Sequence, residues 1–344
     1  MALRFFDSFD IYTSPSQRWT STSAGPSISA TYRRWGSGGG LNCGYGTGVN
    51  ATVMKQLDAQ PTWCVGMAFY VPGPNCTLLA LADGGTPQLS LMLDDNGRLA
   101  LRFGNAFNPP TLGTGTTVIA YNTWNYVELS ATINNTTGSY EVRLNGVTEM
   151  SATGIDTQST ANASADRVYV GQVSGLFGMS GFITGAFDDV YICDGQGSAP
   201  WNTFLGDVRI QALMPTADGD LSQLTPSTGT AHYALVDEVP PNDDTDYVSS
   251  ANAGDTDLFQ LGDVAAVSGS ILGLQVLAYA RKDDAGTRTL APVLKTGGVE
   301  HDGTAVGLGT SYTYLRQLWE TNPGTGLPWT IADVNALQAG VKVG

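Results

Sequence analysis

The sequence predicts an all-β protein made of two β-rich domains. Glycine and proline are abundant, at 43 and 16 of 344 residues, and they separate short runs rich in valine, isoleucine, tyrosine, phenylalanine and threonine. This combination is typical of strands joined by tight turns. The composition changes at residues 194–200, where glycine, serine, alanine and proline follow one another. We therefore predict one domain over residues 1–198 and a smaller one over residues 199–344.

The first domain is predicted to be a large β-sandwich. Apolar runs and alternating patterns indicate its strands, and the hairpin turns Asp94-Asp95-Asn96-Gly97 and Asn145-Gly146 fix two of its connections. The principal predicted strands are Ala2–Tyr12, Thr62–Val71, Thr77–Ala82, Gln88–Leu93, Arg98–Phe103, Trp124–Ile133, Ser139–Leu144, Val147–Met150, Arg167–Gly171 and Gly181–Asp194. Residues 151–165 are polar and are predicted to form a loop.

The last of these strands, Gly181–Asp194, carries two adjacent carboxylates, Asp188 and Asp189. Successive side chains of a regular strand point to opposite faces of the sheet. We therefore expect that these two carboxylates do not act as one catalytic pair.

The second domain is predicted to be β-rich with a short C-terminal helix. Strands are expected at Val208–Leu213, Ala231–Val236, Asp257–Gly262, Gly273–Lys282 and Thr289–Leu294. The tail from Trp329 to Gly340 indicates a helix, because Thr330 can cap its start, Asp333 stands at the third helical position and Gly340 can end it.

Charge and cysteine content exclude several classes of protein. The 16 basic and 31 acidic residues give a net charge of −15, so nucleic acid and anionic membrane surfaces are not expected as partners. The N-terminus lacks the apolar region of a secretory signal, and no run approaches the ~18 apolar residues of a membrane-spanning helix. We expect a soluble protein made in a cytoplasm, with Cys43, Cys64, Cys76 and Cys193 as free structural thiols.

No set of catalytic residues stands out, and we predict that the protein is not an enzyme. A β-sandwich glycosidase needs paired carboxylates on one strand face, and no Glu-x-Asp-x-x-Glu pattern occurs. Serine and cysteine hydrolases need a histidine base beside the nucleophile. His232 lies in an apolar run and His301 in a polar turn, and we expect both to be structural.

Two kinds of binding residue are candidates. Oxygen ligands for Ca²⁺ are offered by Asp94, Asp95 and Asn96 on one turn and by Asp188 and Asp189 in the last strand, although Asp and Asn also favour turns for backbone reasons alone. Tryptophans with polar neighbours, Trp19, Trp35 and Trp201, are candidate platforms for a sugar. The alternative role for such tryptophans is to close the ends of the sandwich.

Three motifs resemble a known family. The opening Phe5-Phe6-Asp7-Ser8-Phe9-Asp10-Ile11-Tyr12 has the FxDxFDxY form, Trp124–Leu129 and Gly138–Gly146 form a central hairpin, and Phe187–Ile192 forms a last strand. Together they resemble bacteriophage virion structural proteins with an N-terminal concanavalin A-like (LamG-type) jelly-roll domain, over roughly residues 1–195. The residues from Thr321 onward are similar to C-terminal regions that follow this fold in phage virion proteins.

The resemblance implies a fold and a role. The expected fold is a concanavalin A-like jelly-roll sandwich followed by the smaller domain, which would serve in virion attachment or oligomerisation. The expected role is that of a non-enzymatic particle component, such as a capsid decoration, head-fibre or tail-associated protein, present in the virion as a homodimer or homotrimer bound to other virion proteins. The alternative is a receptor-binding adhesin or tail fibre that holds a host surface polysaccharide in the sandwich loops, and a polysaccharide depolymerase is a remote third role.

Overall fold

The computed structural model describes residues 2–44, 51–104, 110–172, 185–264 and 269–344, so residues 181–184 of the predicted last strand lie outside the described part. The chain divides into two compact units, residues 1–210 and 211–344. The boundary predicted at residue 198 is therefore too early. Residues 199–210 belong to the first unit because they are hydrogen-bonded to its sheet, as described below.

The first unit is an antiparallel jelly-roll β-sandwich, as the sequence predicts. Its strands are β1 (Leu3–Asp7), β2 (Ser21–Thr22), β3 (Pro26–Ser29), β4 (Gly40–Cys43), β5 (Ala51–Gln60), β6 (Thr62–Tyr70), β7 (Cys76–Asp83), β8 (Thr86–Leu93), β9 (Arg98–Phe103), β10 (Thr111–Val118), β11 (Asn125–Thr132), β12 (Gly138–Leu144), β13 (Val147–Ile155), β14 (Ala165–Gln172) and β15 (Gly185–Asp194).

These strands form two sheets. The first sheet has the order β13-β12-β11-β6-β15-β4-β3, with β1 paired to β15, and the second has the order β10-β9-β8-β7-β14-β5-β2. The neighbours β11, β6 and β15 are far apart in the sequence, so the centre of the first sheet is built from non-local pairings. This centre positions the candidate site.

The hairpin predicted at Asn145-Gly146 is confirmed. Both residues have positive φ, at 50° and 81°, which is the conformation that a two-residue type I′ turn requires and that Asn-Gly adopts readily. The turn joins β12 to β13. The polar loop predicted from residue 151 is wrong at its start, because β13 continues to Ile155 through ladder hydrogen bonds to β12.

Alternating apolar side chains of the two sheets form the core of the sandwich. Trp63, on β6, is fully buried, and its indole N–H donates to the carbonyl of Ala165 on β14 of the second sheet at 2.9 Å. Burial of one large apolar side chain stabilises the fold by about 1.5–3 kcal/mol. The burial predicted for Cys64 and Cys193 is confirmed. Burial raises the pKa of the Cys76 thiol to about 12, and it also raises the pKa of the Cys64 thiol.

In its described residues, 211–264 and 269–344, the second unit has one six-stranded sheet, two two-stranded sheets and a short helix. Its elements are β16 (Pro215–Ser222), β17 (Thr225–Pro226), β18 (Val248–Ser249), β19 (Thr256–Leu261), β20 (Leu274–Ala280), β21 (Thr289–Thr296), β22 (Val299–Asp302), β23 (Val306–Gly307), β24 (Thr313–Trp319), α1 (Ile331–Ala336) and β25 (Gln338–Val343). The six-stranded sheet has the order β16-β19-β25-β21-β22, with β23 paired to β21, while β17 pairs with β18 and β20 with β24.

Three of the strands predicted for this unit are confirmed, as β19, β20 and β21. The strands predicted at Val208–Leu213 and Ala231–Val236 are wrong: residues 208–213 form no strand, and Tyr233–Leu235 is a turn of 3-10 helix. His232, at the start of that turn, is buried, and its Nδ1 lies 2.7 Å from Asp257 Oδ2. That contact gives His232 a partner within the second unit.

The C-terminal helix starts as predicted and ends early. The Thr330 side chain accepts from the Asp333 N–H at 3.1 Å, and Asp333 accepts from the Thr330 N–H at 2.9 Å, which is a capping box. The helix stops at Ala336, because the next residues form β25 between β19 and β21. Gly340 is therefore a strand residue, and a Cβ there would lie 1.8 Å from the Asp257 carbonyl oxygen.

Within the described residues, no helix has the length and apolar character to cross a membrane.

Candidate functional site

Several ionisable side chains lie on one face of the first sheet. Trp63 contacts the second sheet, so the alternate residues of β6, among them Gly66, point away from it. Glu128 and Tyr191 are the register partners of Gly66 on β11 and β15. A Cβ at Gly66 would lie 2.2 Å from the Tyr191 ring, so only glycine leaves room for that ring at this position of β6. We call this surface the polar face.

The polar face is covered by residues 201–210, which we call the cover segment. The Gly206 N–H donates to Glu128 Oε1 at 2.8 Å, and the Leu205 N–H donates to the Tyr191 hydroxyl at 3.1 Å. Tyr191 also donates a short hydrogen bond to the same Glu128 oxygen. Backbone donors of the cover segment thus occupy one oxygen of Glu128 and the hydroxyl of Tyr191, and this contact joins residues 199–210 to the first unit.

A bulge in β15 brings Asp188 and Asp189 to one place, contrary to the expectation that they point to opposite faces. The register of β15 with β6 shifts between Asp188 and Tyr191, and Asp189 has a φ of 48°. A left-handed residue at a bulge redirects its side chain, and aspartate tolerates that conformation better than most residues. The Tyr126 hydroxyl donates to the Asp189 carbonyl at 3.0 Å and so satisfies the bulged backbone.

Both carboxylates meet the segment Arg34-Trp35. The Arg34 N–H donates to Asp188 Oδ2 at 2.9 Å, while Arg34 Nη1 and Trp35 Nε1 donate to Asp189 Oδ2 at 3.0 and 2.7 Å. The other oxygen of Asp189 accepts from the Ile210 N–H at 2.7 Å. Asp189, with 0% of its surface exposed, therefore joins three parts of the chain that are distant in sequence.

Arg34 extends the same network into the cover segment. Its Nη2 donates to Asp207 Oδ1 and its Nη1 to the Val208 carbonyl at 3.1 Å. Its guanidinium carbon also lies 5.3 Å from the centre of the Tyr126 ring. Arg34 thus neutralises the fully buried carboxylate of Asp189 and also holds the cover segment in place. A buried ion pair stabilises a fold only when further hydrogen bonds of this kind satisfy its remaining polar atoms.

Burial of several carboxylates around one cation raises their pKa values. Desolvation, followed by the charge of Asp189, raises the pKa of Asp188 to about 8, and desolvation raises the pKa of Asp10 to about 6. The pKa of Asp189 is also raised by desolvation, against the hydrogen bonds and the charge of Arg34. Desolvation therefore favours the protonated forms of Asp188 and Asp10 in the folded state.

These shifts predict a pH dependence of stability. Because the folded-state pKa of Asp188 lies above its unfolded value, its protonation stabilises the fold; this contribution is complete below about pH 4 and is lost as the pH rises through about 8. We expect the free energy of unfolding of the first unit to fall by roughly 2 kcal/mol more between pH 6 and pH 8 in the wild type than in Asp188→Asn.

Chemical denaturation at several pH values measures this difference. Asp95→Asn, at an exposed position, is the matched control and should follow the wild-type profile. Parallel profiles of Asp188→Asn and the wild type would show that Asp188 does not titrate in this range.

Of the three tryptophans predicted to bind a sugar, two are not at the surface. Trp19 is 3% exposed, and its Nε1 donates to Asp7 Oδ2 at 2.9 Å, while Trp201 is 8% exposed. Both are buried, so neither offers the exposed ring that a sugar platform needs. Trp35 is 37% exposed and is the most exposed of the seven tryptophans.

Three of the five predicted ion ligands, Asp94, Asp188 and Asp189, are engaged by the protein itself. Asp94 Oδ1 accepts from the N–H groups of Asn96 and Arg98 at 2.9 and 2.8 Å, which is the backbone role that such turn residues favour. Asp188 and Asp189 bind the Arg34 segment. Among the described residues, no group of three or more His, Cys, Asp or Glu side chains is placed to hold a metal ion. A Ca²⁺ ion at either place stays a prediction from the sequence alone.

Sequence reasoning missed a second buried carboxylate, Asp7, which is 1% exposed. Asp7 accepts from Arg18 Nη1 at 2.7 Å and from Trp19 Nε1, as Asp189 accepts from Arg34 and Trp35. The signal was present as a repeated dipeptide, because Arg18-Trp19 and Arg34-Trp35 are both Arg-Trp pairs. Each pair delivers one guanidinium and one indole N–H to a single buried aspartate.

The likeness of this chain to known proteins is limited to solved structures of low sequence identity. No protein-family model matches the chain, and no curated protein matches it. An alginate lyase structure aligns with 56% of this chain and 97% of its own, at 12% identity and a TM-score of 0.36. The CBM40 module of a Ruminococcus gnavus IT-sialidase, bound to α2,3-sialyllactose, aligns with 41% of this chain and 80% of its own, at 15% identity and a TM-score of 0.30. A SAP-like pentraxin from Limulus polyphemus aligns with 43% of this chain and 72% of its own, at 13% identity and a TM-score of 0.31. These likenesses are remote in both sequence and structure.

Proposed function

We propose that this chain is a non-enzymatic structural component of a bacteriophage particle, as a capsid decoration, head-fibre or tail-associated protein that forms a homo-oligomer and binds other virion proteins. The motif resemblance described above suggests the setting. The observation that carries the proposal is the partly exposed outer face of the two-stranded sheet formed by β20 and β24 in the second unit.

This face is defined by alternation along β20. Leu274, Val276, Ala278 and Ala280 pack against the two clusters of buried side chains that the second unit contains in its described part. The intervening Leu277 and Tyr279 lie on the opposite face of this two-stranded sheet and are only half-buried. A two-stranded sheet is marginally stable unless its faces are covered, so the open face is suited to contact with another protein.

The chemistry of this open face also fits a protein interface. Tyr279 lies 5.0 Å from Tyr312 and 4.6 Å from Tyr314, measured between ring centres, and Leu277 has Arg316 as its register partner. Tyrosine and arginine are enriched at the centres of protein–protein interfaces. Half-buried aromatic and apolar side chains of this kind are expected to become fully buried in an assembly.

Two measurements test the proposal. Light scattering of the purified chain should give an oligomer mass, and Leu277→Gln should shift it toward the monomer, whereas Val147→Gln, at a 67% exposed position of the first unit, should not. Immunogold labelling of purified phage particles should show regular label on the head or on the tail. A monomeric wild type together with unlabelled particles would contradict the proposal.

The alternative, a receptor-binding adhesin or tail fibre, is favoured by one observation: the exposed ring of Trp35. Label confined to the tail tip or fibres would favour this alternative over a capsid decoration protein.

A further inference from the structure

Two of the four cysteines face each other across the centre of the first sheet. Cys193, on β15, is the register partner of Cys64 on the antiparallel strand β6. Register partners in a sheet point to the same face. Gly66 and Tyr191 form the pair two residues further along, so the two thiols also point to the polar face. Both are buried, with 2% of Cys64 and 0% of Cys193 exposed.

The spacing of this pair suits a disulfide. The Gly195 N–H donates to the Thr62 carbonyl at 3.0 Å, which makes these two residues a hydrogen-bonded pair of the ladder. Hydrogen-bonded pairs alternate with non-bonded ones, so Cys193 and Cys64 form the next hydrogen-bonded pair, with Cα atoms about 5.5 Å apart. Disulfides span Cα separations of about 4.4–6.8 Å. The Cβ atoms of opposed residues lie about 4.5–5.5 Å apart, so they need to approach by about 1 Å at most.

The other two cysteines are not placed in this way. Cys43 has Pro26 and Gly185 as register partners, and Cys76 has Leu93. Within the described residues, Cys64 and Cys193 are therefore the only cysteines that oppose each other in a sheet. Their pairing is specific, because it is fixed by the register of two central strands and not by the mobility of a loop.

We propose that Cys64 and Cys193 form a cross-strand disulfide when the chain meets a peroxide oxidant. The thiolate of one cysteine attacks hydrogen peroxide, which gives a sulfenic acid and releases hydroxide. The thiol of the other cysteine then attacks the sulfenic sulfur; the S–S bond forms, and the hydroxyl group leaves with the thiol proton as water. Two thiols are oxidised and one peroxide is reduced to two waters. This inference goes beyond the proposed structural role and does not depend on it.

The bond would fasten the strand that organises the first sheet. Besides its pairing with β6, Cys193 is the register partner of Leu3 on β1. A cross-link between residues far apart in the sequence restricts the unfolded chain strongly, so the oxidised protein should resist unfolding better. Thiols of this kind stay reduced among cytosolic reductants and pair in oxidising surroundings. Burial raises the pKa of the Cys64 thiol, so thiolate is scarce and the bond forms slowly in the folded chain.

Oxidation of the whole chain tests the proposal. After treatment with hydrogen peroxide, mass spectrometry should show a chain lighter by two hydrogen atoms, and peptide mapping without reductant should show Cys64 linked to Cys193. The melting temperature of the first unit should rise by roughly 5–10 °C over the reduced protein. Refolding of the reduced, denatured chain in a glutathione redox buffer is a second measurement that needs no entry of oxidant into the folded core, and it should give the same link.

Variants assign the effect to this pair. Cys64→Ala and Cys193→Ala should each lose both the mass change and the rise in melting temperature. Cys76→Ala removes another buried cysteine and should keep both, so it is the matched control.

Four outcomes would overturn the inference: a link to Cys43 or Cys76, a link between two chains, no link after either peroxide treatment or refolding, or the expected link without a rise in melting temperature. None of them changes the mass of the oligomer or its response to Leu277→Gln, so failure of the disulfide is distinguishable from failure of the structural role.

Discussion

Asp7→Ala is expected to lower the free energy of unfolding of the first unit by about 3–5 kcal/mol, the usual cost of removing one partner of a buried ion pair. Asp7 is the shared acceptor of the N-terminal segment. It accepts from Arg18 Nη1 at 2.7 Å, from Trp19 Nε1 at 2.9 Å and from the Phe9 N–H at 3.2 Å, and it also accepts a short bond from the Tyr12 hydroxyl. Without the carboxylate, the buried Arg18 guanidinium loses its counter-charge.

The same change also removes support for the backbone of this segment. Phe9 has a φ of 61°, which is unfavourable for a bulky residue, and its N–H is held by Asp7. The Phe9 ring stacks on Trp19 with ring centres 5.9 Å apart. Loss of Asp7 therefore loosens an aromatic cluster as well as an ion pair.

Chemical denaturation followed by tryptophan fluorescence measures the effect. Asp95→Ala, at an exposed position of the β8–β9 turn, is the control and should change stability by no more than about 0.5 kcal/mol. Asp7→Asn keeps the shape and should fall between the wild type and Asp7→Ala. An Asp7→Ala protein as stable as the wild type would show that the Asp7 network does not stabilise the fold.

Arg34→Ala is expected to cost a similar amount, about 3–5 kcal/mol at pH 8. It leaves Asp189 buried without a cation and releases the Asp207 and Val208 contacts of the cover segment. Because protonation of the carboxyl groups replaces the missing cation, and because the pKa values of Asp188 and Asp189 are already raised, the loss should be smaller at pH 5 than at pH 8.

A double-mutant cycle with Asp189→Ala isolates the pair. Residues in one ion-pair network are coupled by about 0.5–3 kcal/mol, so the double variant should be less destabilised than the sum of the single variants. Arg98→Ala is the matched control, because Arg98 and Asp94 form a half-exposed pair 3.2 Å apart on a turn, and such pairs contribute about 0–1 kcal/mol. Additive effects of Arg34 and Asp189, or a loss that does not change with pH, would contradict the expectation.

The sequence by itself determined the fold class and most strands. Turn chemistry and continuous apolar runs are local properties, so Asn145-Gly146 predicts its hairpin and the run Thr62–Val71 predicts the central strand β6 without any knowledge of distant residues. The capping box at Thr330 and Asp333 is local as well, and the helix starts where it predicts.

The tertiary structure decided what the local pattern could not. The local pattern predicts that Gly340 ends the helix, but Gly340 pairs with β19 and β21 and is a strand residue. The backbone hydrogen bonds of a strand paired on both sides stabilise the chain more than one further turn of helix would. The local pattern predicts that the side chains of Asp188 and Asp189 point to opposite faces of the sheet. A bulge instead brings both to Arg34, which is 155 positions from Asp189 in the sequence. Burial and ion pairing over such separations depend on the pairing of distant strands and on the course of the cover segment, and only the folded chain specifies them.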